Sequence, residues 1–149
     1  MDKKATVKAV CISRAKGTPK EPVPYIDLVE DYGIEGDAHA GKWHRQVSLL
    51  SYETIETFKA EMAAASQLIT DGSFGENIII EGIELKNLPV GTKLGIGPAE
   101  IRITQIGKEC HSRCIIGQTV GRCIMPEEGV FARVLTGGRI EPGDEVTVL

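Results

Sequence analysis

Leu88-Pro89-Val90-Gly91-Thr92-Lys93-Leu94-Gly95-Ile96, followed after Gly97-Pro98 by Ala99-Glu100-Ile101-Arg102-Ile103-Thr104-Gln105-Ile106, decides the fold. The first piece is a proline–glycine turn feeding a short alternating strand. The second is a longer strand whose apolar residues alternate, so that one face looks inward and the other outward. The same device returns at Ile140-Glu141-Pro142-Gly143-Asp144-Glu145-Val146-Thr147-Val148. It is one turn used twice rather than a repeat architecture.

Working outward, Ala5 to Ser13 is rich in β-branched residues and reads as a strand, with Cys11 inside it as a small core hydrophobe. Thr18 to Pro24 holds three prolines and reads as a loop. Ile26 to Val29, Gln46 to Leu50 and Asn77 to Glu81 are further strand candidates. Tyr52 to Ala65 is the one helix, with Ile55, Phe58 and Met62 on one face and Ser51 as its N-cap. Seventeen glycines and many short strands beside one helix predict a mostly β, barrel-like fold with short helical turns. The helix is expected to plug one end. A length of 149 residues predicts a single domain over residues 1–149.

The chain is 42% hydrophobic and 26% charged, ordinary for a globular protein, and only 5% aromatic, so Ile, Val, Leu and Ala must build the core. A formal charge of −4 argues against a general nucleic-acid binder. No signal-type start and no membrane-length apolar run is present, which predicts a cytoplasmic protein without a membrane partner. There, four Cys are expected to be free thiols, metal ligands or redox groups rather than a disulfide framework.

Three segments carry chemistry. Lys108-Glu109-Cys110-His111-Ser112-Arg113-Cys114 places two thiols, an imidazole and two cations within seven residues. A thiolate is the nucleophile and soft-metal ligand, and neighbouring cations favour it. Cys114, preceded by Arg113 and followed by Ile115-Ile116, is the better candidate than Cys110. Cys110, His111, Cys114 and Cys123 also admit a zinc or thiol switch, a redox pair, or plain packing. Arg102, Lys108, Arg113 and Arg122 make this region cationic, which suits a small anionic ligand.

The second segment, Gly36-Asp37-Ala38-His39-Ala40-Gly41-Lys42-Trp43-His44-Arg45-Gln46, packs two His, the only Trp and two cations between glycines. Such a loop could bring N–H groups and cations onto a phosphate or a flat heterocycle, or be a polar surface loop under a Trp lid. In the third, Asp71-Gly72-Ser73-Phe74-Gly75-Glu76-Asn77-Ile78, Glu76 and Asn77 could bind the polar edge of a ligand or stabilise the turn.

Together and in this order, these segments resemble the MOSC domain, the module named after the C-terminal part of molybdenum cofactor sulfurase. Gly33 to His39 with Arg45 to Leu49 resembles the N-terminal signature, and Phe74-Gly75-Glu76-Asn77-Ile78 the central one. His111-Ser112-Arg113-Cys114-Ile115 resembles the Cys-Ser-Arg-Cys-type segment of the amidoxime-reducing members, whose second cysteine, a molybdenum ligand, falls on Cys114.

The resemblance implies a β-barrel-like fold bearing a molybdenum cofactor (molybdopterin) site. Asp37, His39, Lys42, Arg45, Glu76, Asn77 and Arg113 become candidate cofactor-binding residues. Cys114 becomes either a persulfide carrier or the metal ligand. A cysteine desulfurase or other sulfur donor, and enzymes of molybdenum-cofactor biosynthesis, become expected partners. A reductase of N-hydroxylated compounds working with external electron donors is the alternative activity. Here His111 replaces the first cysteine of the reductase segment and Gly121 stands near its acidic residue, which points to a compact stand-alone bacterial-type member.

Overall fold

The computed structural model describes residues 5–15, 20–107, 124 and 128–149. Among them the strands are β1 (Ala5–Ile12), β2 (Glu21–Val23), β3 (Ile26–Val29), β4 (Gly33–Ile34), β5 (Val47–Ser51) and β6 (Ile78–Glu81). They continue with β7 (Lys93–Ile96), β8 (Ala99–Ile106), β9 (Val130–Thr136), β10 (Gly138–Ile140) and β11 (Glu145–Val148). One helix, α1 (Tyr52–Met62), and two 3-10 turns, Ala63–Leu68 and Leu85–Asn87, complete the described set.

Strands β11, β7, β8, β9, β5, β6 and β1 follow one another around a sheet, and β1 pairs back onto β11 through Ala5 and Val146. These seven strands close a barrel, as the alternating segments predict, and closure removes exposed sheet edges. Strand β2 pairs with the remaining length of β1. A separate small sheet runs β10-β3-β4.

Alternation fixes the interior. Val7, Val10, Val47, Leu49, Ile78, Ile80, Leu94, Ile101, Ile103, Val130 and Ala132 are buried in one cluster. Each fully buried Val, Leu or Ile contributes roughly 1.5–3 kcal/mol relative to an exposed one. The small sheet adds Ile26, Leu28, Ile34 and Ile140 to this same cluster.

Four expectations need correction. The helix does not plug an end. Its buried residues Ile55 and Phe58 join Ala9, Cys11, Leu50, Ile79 and Phe131, which alternate with the interior residues and therefore face outward. Strands β5 and β6 are parallel neighbours, and a parallel pair needs a crossover over the sheet face. Helix α1 is that crossover, packed on the outer wall. It also ends at Met62 and tightens into the 3-10 turn, short of the expected Ala65.

Ser51 is no N-cap: it is the last residue of β5, and its hydroxyl donates to the Ile83 carbonyl and accepts from the Leu85 amide. The segment expected to be a loop up to Pro24 contains β2. Pro22 is tolerated there because β2 pairs with β1 and sits at the end of the sheet order, where a missing N–H breaks no second ladder. The strand from Ala5 and the burial of Cys11 are as expected.

Candidate functional site

Strands β8 and β9 run antiparallel until Ile106 meets Val130, and the Gly107 amide then donates to the Gly129 carbonyl at 2.7 Å. The chain between these glycines leaves and returns at one point on the barrel. The run that holds Cys110, His111, Arg113, Cys114 and Cys123 lies within that connection and outside the described residues.

The glycine-bounded loop docks beside this point. A register shift between Ile103 and Gln105 leaves Thr104 as the extra residue of a bulge, which frees its side chain. The Thr104 hydroxyl bonds the His44 carbonyl and lies 3.2 Å from the Phe131 carbonyl. His44 Nε2 lies 2.7 Å from Gln105 Oε1, and Gln105 Nε2 donates to the Gly107 carbonyl at 2.7 Å. The loop's far end is held by Gln46, fully buried, whose Oε1 accepts the Val134 amide at 2.9 Å.

Arg45 is the notable cation of this loop. Its guanidinium stands 4.7 Å from the Trp43 ring centre and 5.7 Å from that of Phe131. Its Nε is buried and has no hydrogen-bond partner among the described residues. A desolvated, unpaired donor on a fixed cation favours an anion beside it. Lys42 is exposed on the same loop.

Behind the loop lies a buried polar cluster. Lys20 Nζ reaches Asp37 Oδ1 at 2.7 Å, Ser13 Oγ at 3.3 Å and His39 Nδ1 at 3.1 Å. The Lys20 and Asp37 side chains are 1% and 0% exposed. Asp37 also accepts the amides of Ser13 and His39. Burial lowers the Lys20 pKa, and the hydrogen bond and charge of Asp37 pull it back up. Gly72 makes room for Lys20: its φ is +91°, its carbonyl accepts the Lys20 amide at 2.9 Å, and a Cβ would run into the Lys20 carbonyl.

Glu76 and Asn77 lie deeper still. Asn77 Oδ1 accepts the Ser48 amide at 3.0 Å and its Nδ2 donates to the Cys11 carbonyl at 3.0 Å, which ties β5, β6 and β1 together. Glu76 is fully buried; Oε1 accepts the Phe74 amide at 3.0 Å, while Oε2 has no hydrogen-bond partner among the described residues. Desolvation raises its pKa to about 7 against the pull of nearby backbone amides. Burial likewise pushes the Cys11 thiol up, with Glu76 and Asp71 adding to it, which makes that thiol a poor nucleophile.

The structure therefore keeps Asp37, His39, Lys42 and Arg45 on one loop, sets Asn77 among β5, β6 and β1 with Glu76 buried next to it, and leaves Arg113 and Cys114 outside the described residues. Lys20 and Gln105 were not legible as site residues: a lysine among prolines and a glutamine in a strand both read as solvated. Arg45 and the Trp43 face suit the phosphate and flat rings of a pterin cofactor. No group of three His, Cys, Asp or Glu able to hold a metal occurs among the described residues, and the thiols proposed for that role lie beyond them. No described helix is long and apolar enough to cross a membrane.

Comparison with known proteins agrees with the segments read from the sequence. Residues 36–147 match the family model described as the MOSC domain. YuaD from Bacillus subtilis is 20% identical with a TM-score of 0.72, over 97% of this chain and 94% of that one. YiiM from Escherichia coli is 18% identical with a TM-score of 0.70, over 97% and 69%. YiiM from Geobacillus stearothermophilus is 19% identical with a TM-score of 0.74, over 97% and 75%. At such identities the likeness is one of fold. A search of curated protein sequences returns no match.

Proposed function

Because the chain belongs to the MOSC domain family, which is associated with the molybdenum cofactor, we propose that it is a molybdenum-cofactor-linked module with Cys114 as its working thiolate. In this reading the protein carries sulfur as a Cys114 persulfide in the cytoplasm. The observation that supports it is the docking of His44, on the Asp37–Arg45 loop, onto Gln105, whose side chain in turn holds the Gly107 carbonyl where the connection holding Cys114 begins.

The chemistry follows from the residues. Arg113, adjoining Cys114, favours the thiolate. That thiolate attacks the outer sulfur of a donor persulfide, R–S–SH; the donor's S–S bond breaks, R–S⁻ departs, and Cys114–S–SH remains. The chain shows no desulfurase motif of its own, so a cysteine desulfurase or similar donor supplies the sulfur. Lys42, Arg45 and Arg113 would hold the cofactor phosphate, and Trp43 would offer a flat apolar face to its rings. When bound, the cofactor would supply a molybdenum centre that takes a soft sulfur ligand.

The test loads the protein with a desulfurase and cysteine, or with cofactor, and measures sulfane sulfur by cyanolysis and molybdenum by elemental analysis. Cys114→Ser should lose occupancy while Cys110→Ser and Cys123→Ser retain it. Full occupancy in Cys114→Ser, with loss in another variant, overturns the assignment. Stoichiometric zinc without molybdenum or sulfane sulfur would replace the reading with a zinc site at Cys110, His111, Cys114 and Cys123.

A further inference from the structure

We propose that the outer face of strands β7, β8 and β9, across which Lys93, Arg102 and Arg133 stand side by side, is a docking surface for an acidic helix of a partner protein. This surface is independent of the sulfur-carrier function proposed above.

The row follows from the strand register. Lys93 lies opposite Arg102 between β7 and β8, and Arg102 lies opposite Arg133 between β8 and β9. Residues directly opposite in antiparallel strands share a face, with Cβ atoms about 4.5–5.5 Å apart. That face is the outer one, because the flanking Leu94, Ile101, Ile103, Ala132 and Val134 are buried in the barrel interior. Lys93 and Arg102 are exposed, and the Arg133 side chain is 42% exposed.

Like charges directly opposite one another repel and lower stability. The chain supplies little to offset them. At one end of the row Arg133 pairs with Asp31 at 2.6 Å, and Gln46 Nε2 donates to the same carboxylate. Arg133 above all, and Lys42 from the neighbouring loop, hold the Asp31 carboxyl below its ordinary pKa, so Lys42 belongs to the same charged face. Glu100, half-buried two residues before Arg102, lies opposite Gly95 and Thr136 rather than a cation. The Lys93 and Arg102 side chains have no ion pair among the described residues. Four cations against those two carboxylates leave the face positive, in a chain whose formal charge is −4.

This charge pattern selects the occupant. A long polyanion such as a nucleic acid would run off the patch onto the acidic remainder of the surface, whereas a short acidic segment meets the row alone. Glutamates three and four apart on a helix stand about 5–6 Å from one another, close to the spacing of the row. In an extended segment, residues on one side stand about 6.4–6.8 Å apart and fall out of step by the third cation. Two residues beyond Arg102, Thr104 bonds the His44 carbonyl, so a helix on the row lies beside the glycine-bounded loop.

The test is fluorescence anisotropy with two labelled synthetic peptides and a single-stranded oligonucleotide. One peptide is an alanine-rich helix with glutamates three and four apart along one face; the other alternates the same number of glutamates with prolines. Wild-type protein should bind the helix most tightly, and added salt should weaken that binding. Arg102→Glu and Lys93→Glu should each weaken it by roughly tenfold or more. Lys59→Glu on α1 changes the net charge equally on a different wall, and should bind the helix as wild type does. Failure of wild type to bind the helix, or an equal loss in Lys59→Glu, overturns the proposal. So does binding of the oligonucleotide or the proline peptide as tightly as the helix. Arg102→Glu also relieves a repulsion, so its urea midpoint at low salt should equal or exceed that of wild type. A lower midpoint would overturn the row of mutually repelling cations from which the docking surface is inferred.

Discussion

His44 and Gln105, 61 residues apart in sequence, meet at 2.7 Å between Nε2 and Oε1. Through Gln105 the loop is coupled to the Gly107 carbonyl, immediately before the cysteine-bearing run. The bond is exposed, so Gln105→Ala should cost about 1 kcal/mol or less of global stability. Its local effect should be larger. Trp43, the only tryptophan, sits beside His44 with ring centres 5.8 Å apart. Its emission should move to longer wavelength and its acrylamide quenching should rise in Gln105→Ala. Unchanged Trp43 fluorescence would show that the loop is held without this contact.

Glu76 makes stability depend on pH in an unusual direction. Its folded pKa is raised from 4.5 to about 7, mainly by burial. Below 4.5 both folded and unfolded states hold the proton, and the contribution is complete. Between 4.5 and 7 the unfolded carboxyl ionises first, so this contribution falls, and above 7 it is lost. The total is about 3 kcal/mol at roughly 1.4 kcal/mol per pKa unit. Glu76→Gln is neutral throughout, so its urea midpoint should gain on wild type as pH rises through this window. A constant difference between the two proteins from pH 5 to 8 would contradict the buried-acid account.

Asn77 predicts a pH-independent loss. Its side chain satisfies the Ser48 amide and the Cys11 carbonyl, both inside the wall formed by β5, β6 and β1. Asn77→Ala leaves both without that partner, at about 1–3 kcal/mol for each buried group. A destabilisation of about 2–4 kcal/mol by urea unfolding is expected. A loss under 1 kcal/mol would mean that water reaches these groups.

The barrel is legible because alternation in β8 and the repeated proline–glycine turn leave few other solutions. What the sequence hides is which face the helix covers. Leu49-Leu50 and Ile78-Ile79-Ile80 are continuous apolar runs, buried on both sides, so they carry no period that separates the barrel interior from the wall under α1. The loop from Asp37 to Arg45 is visible as a motif because glycines bound it. Lys20 is invisible, since a lysine among prolines reads as solvated; only the fold sets it against Gly72 and Asp37.

Arg45 gives the sharpest test of the anion site. Trp43 and Phe131 hold its guanidinium in place, and its buried Nε is the donor left over. A charge-assisted contact to phosphate is worth about 1.5–3 kcal/mol, so Arg45→Ala should weaken binding of a phosphorylated pterin by roughly one to two orders of magnitude. Arg45→Lys should recover only part of it, because a lysine keeps the charge but loses the planar fork. Arg102 is the control: it is exposed on β8, between Lys93 and Arg133 on the neighbouring strands. Arg102→Ala should bind like wild type, apart from a small salt-sensitive change in long-range attraction. Calorimetric titration at two salt concentrations separates these terms. If Arg45→Ala and Arg102→Ala bind the phosphorylated pterin equally well, the phosphate does not meet this loop.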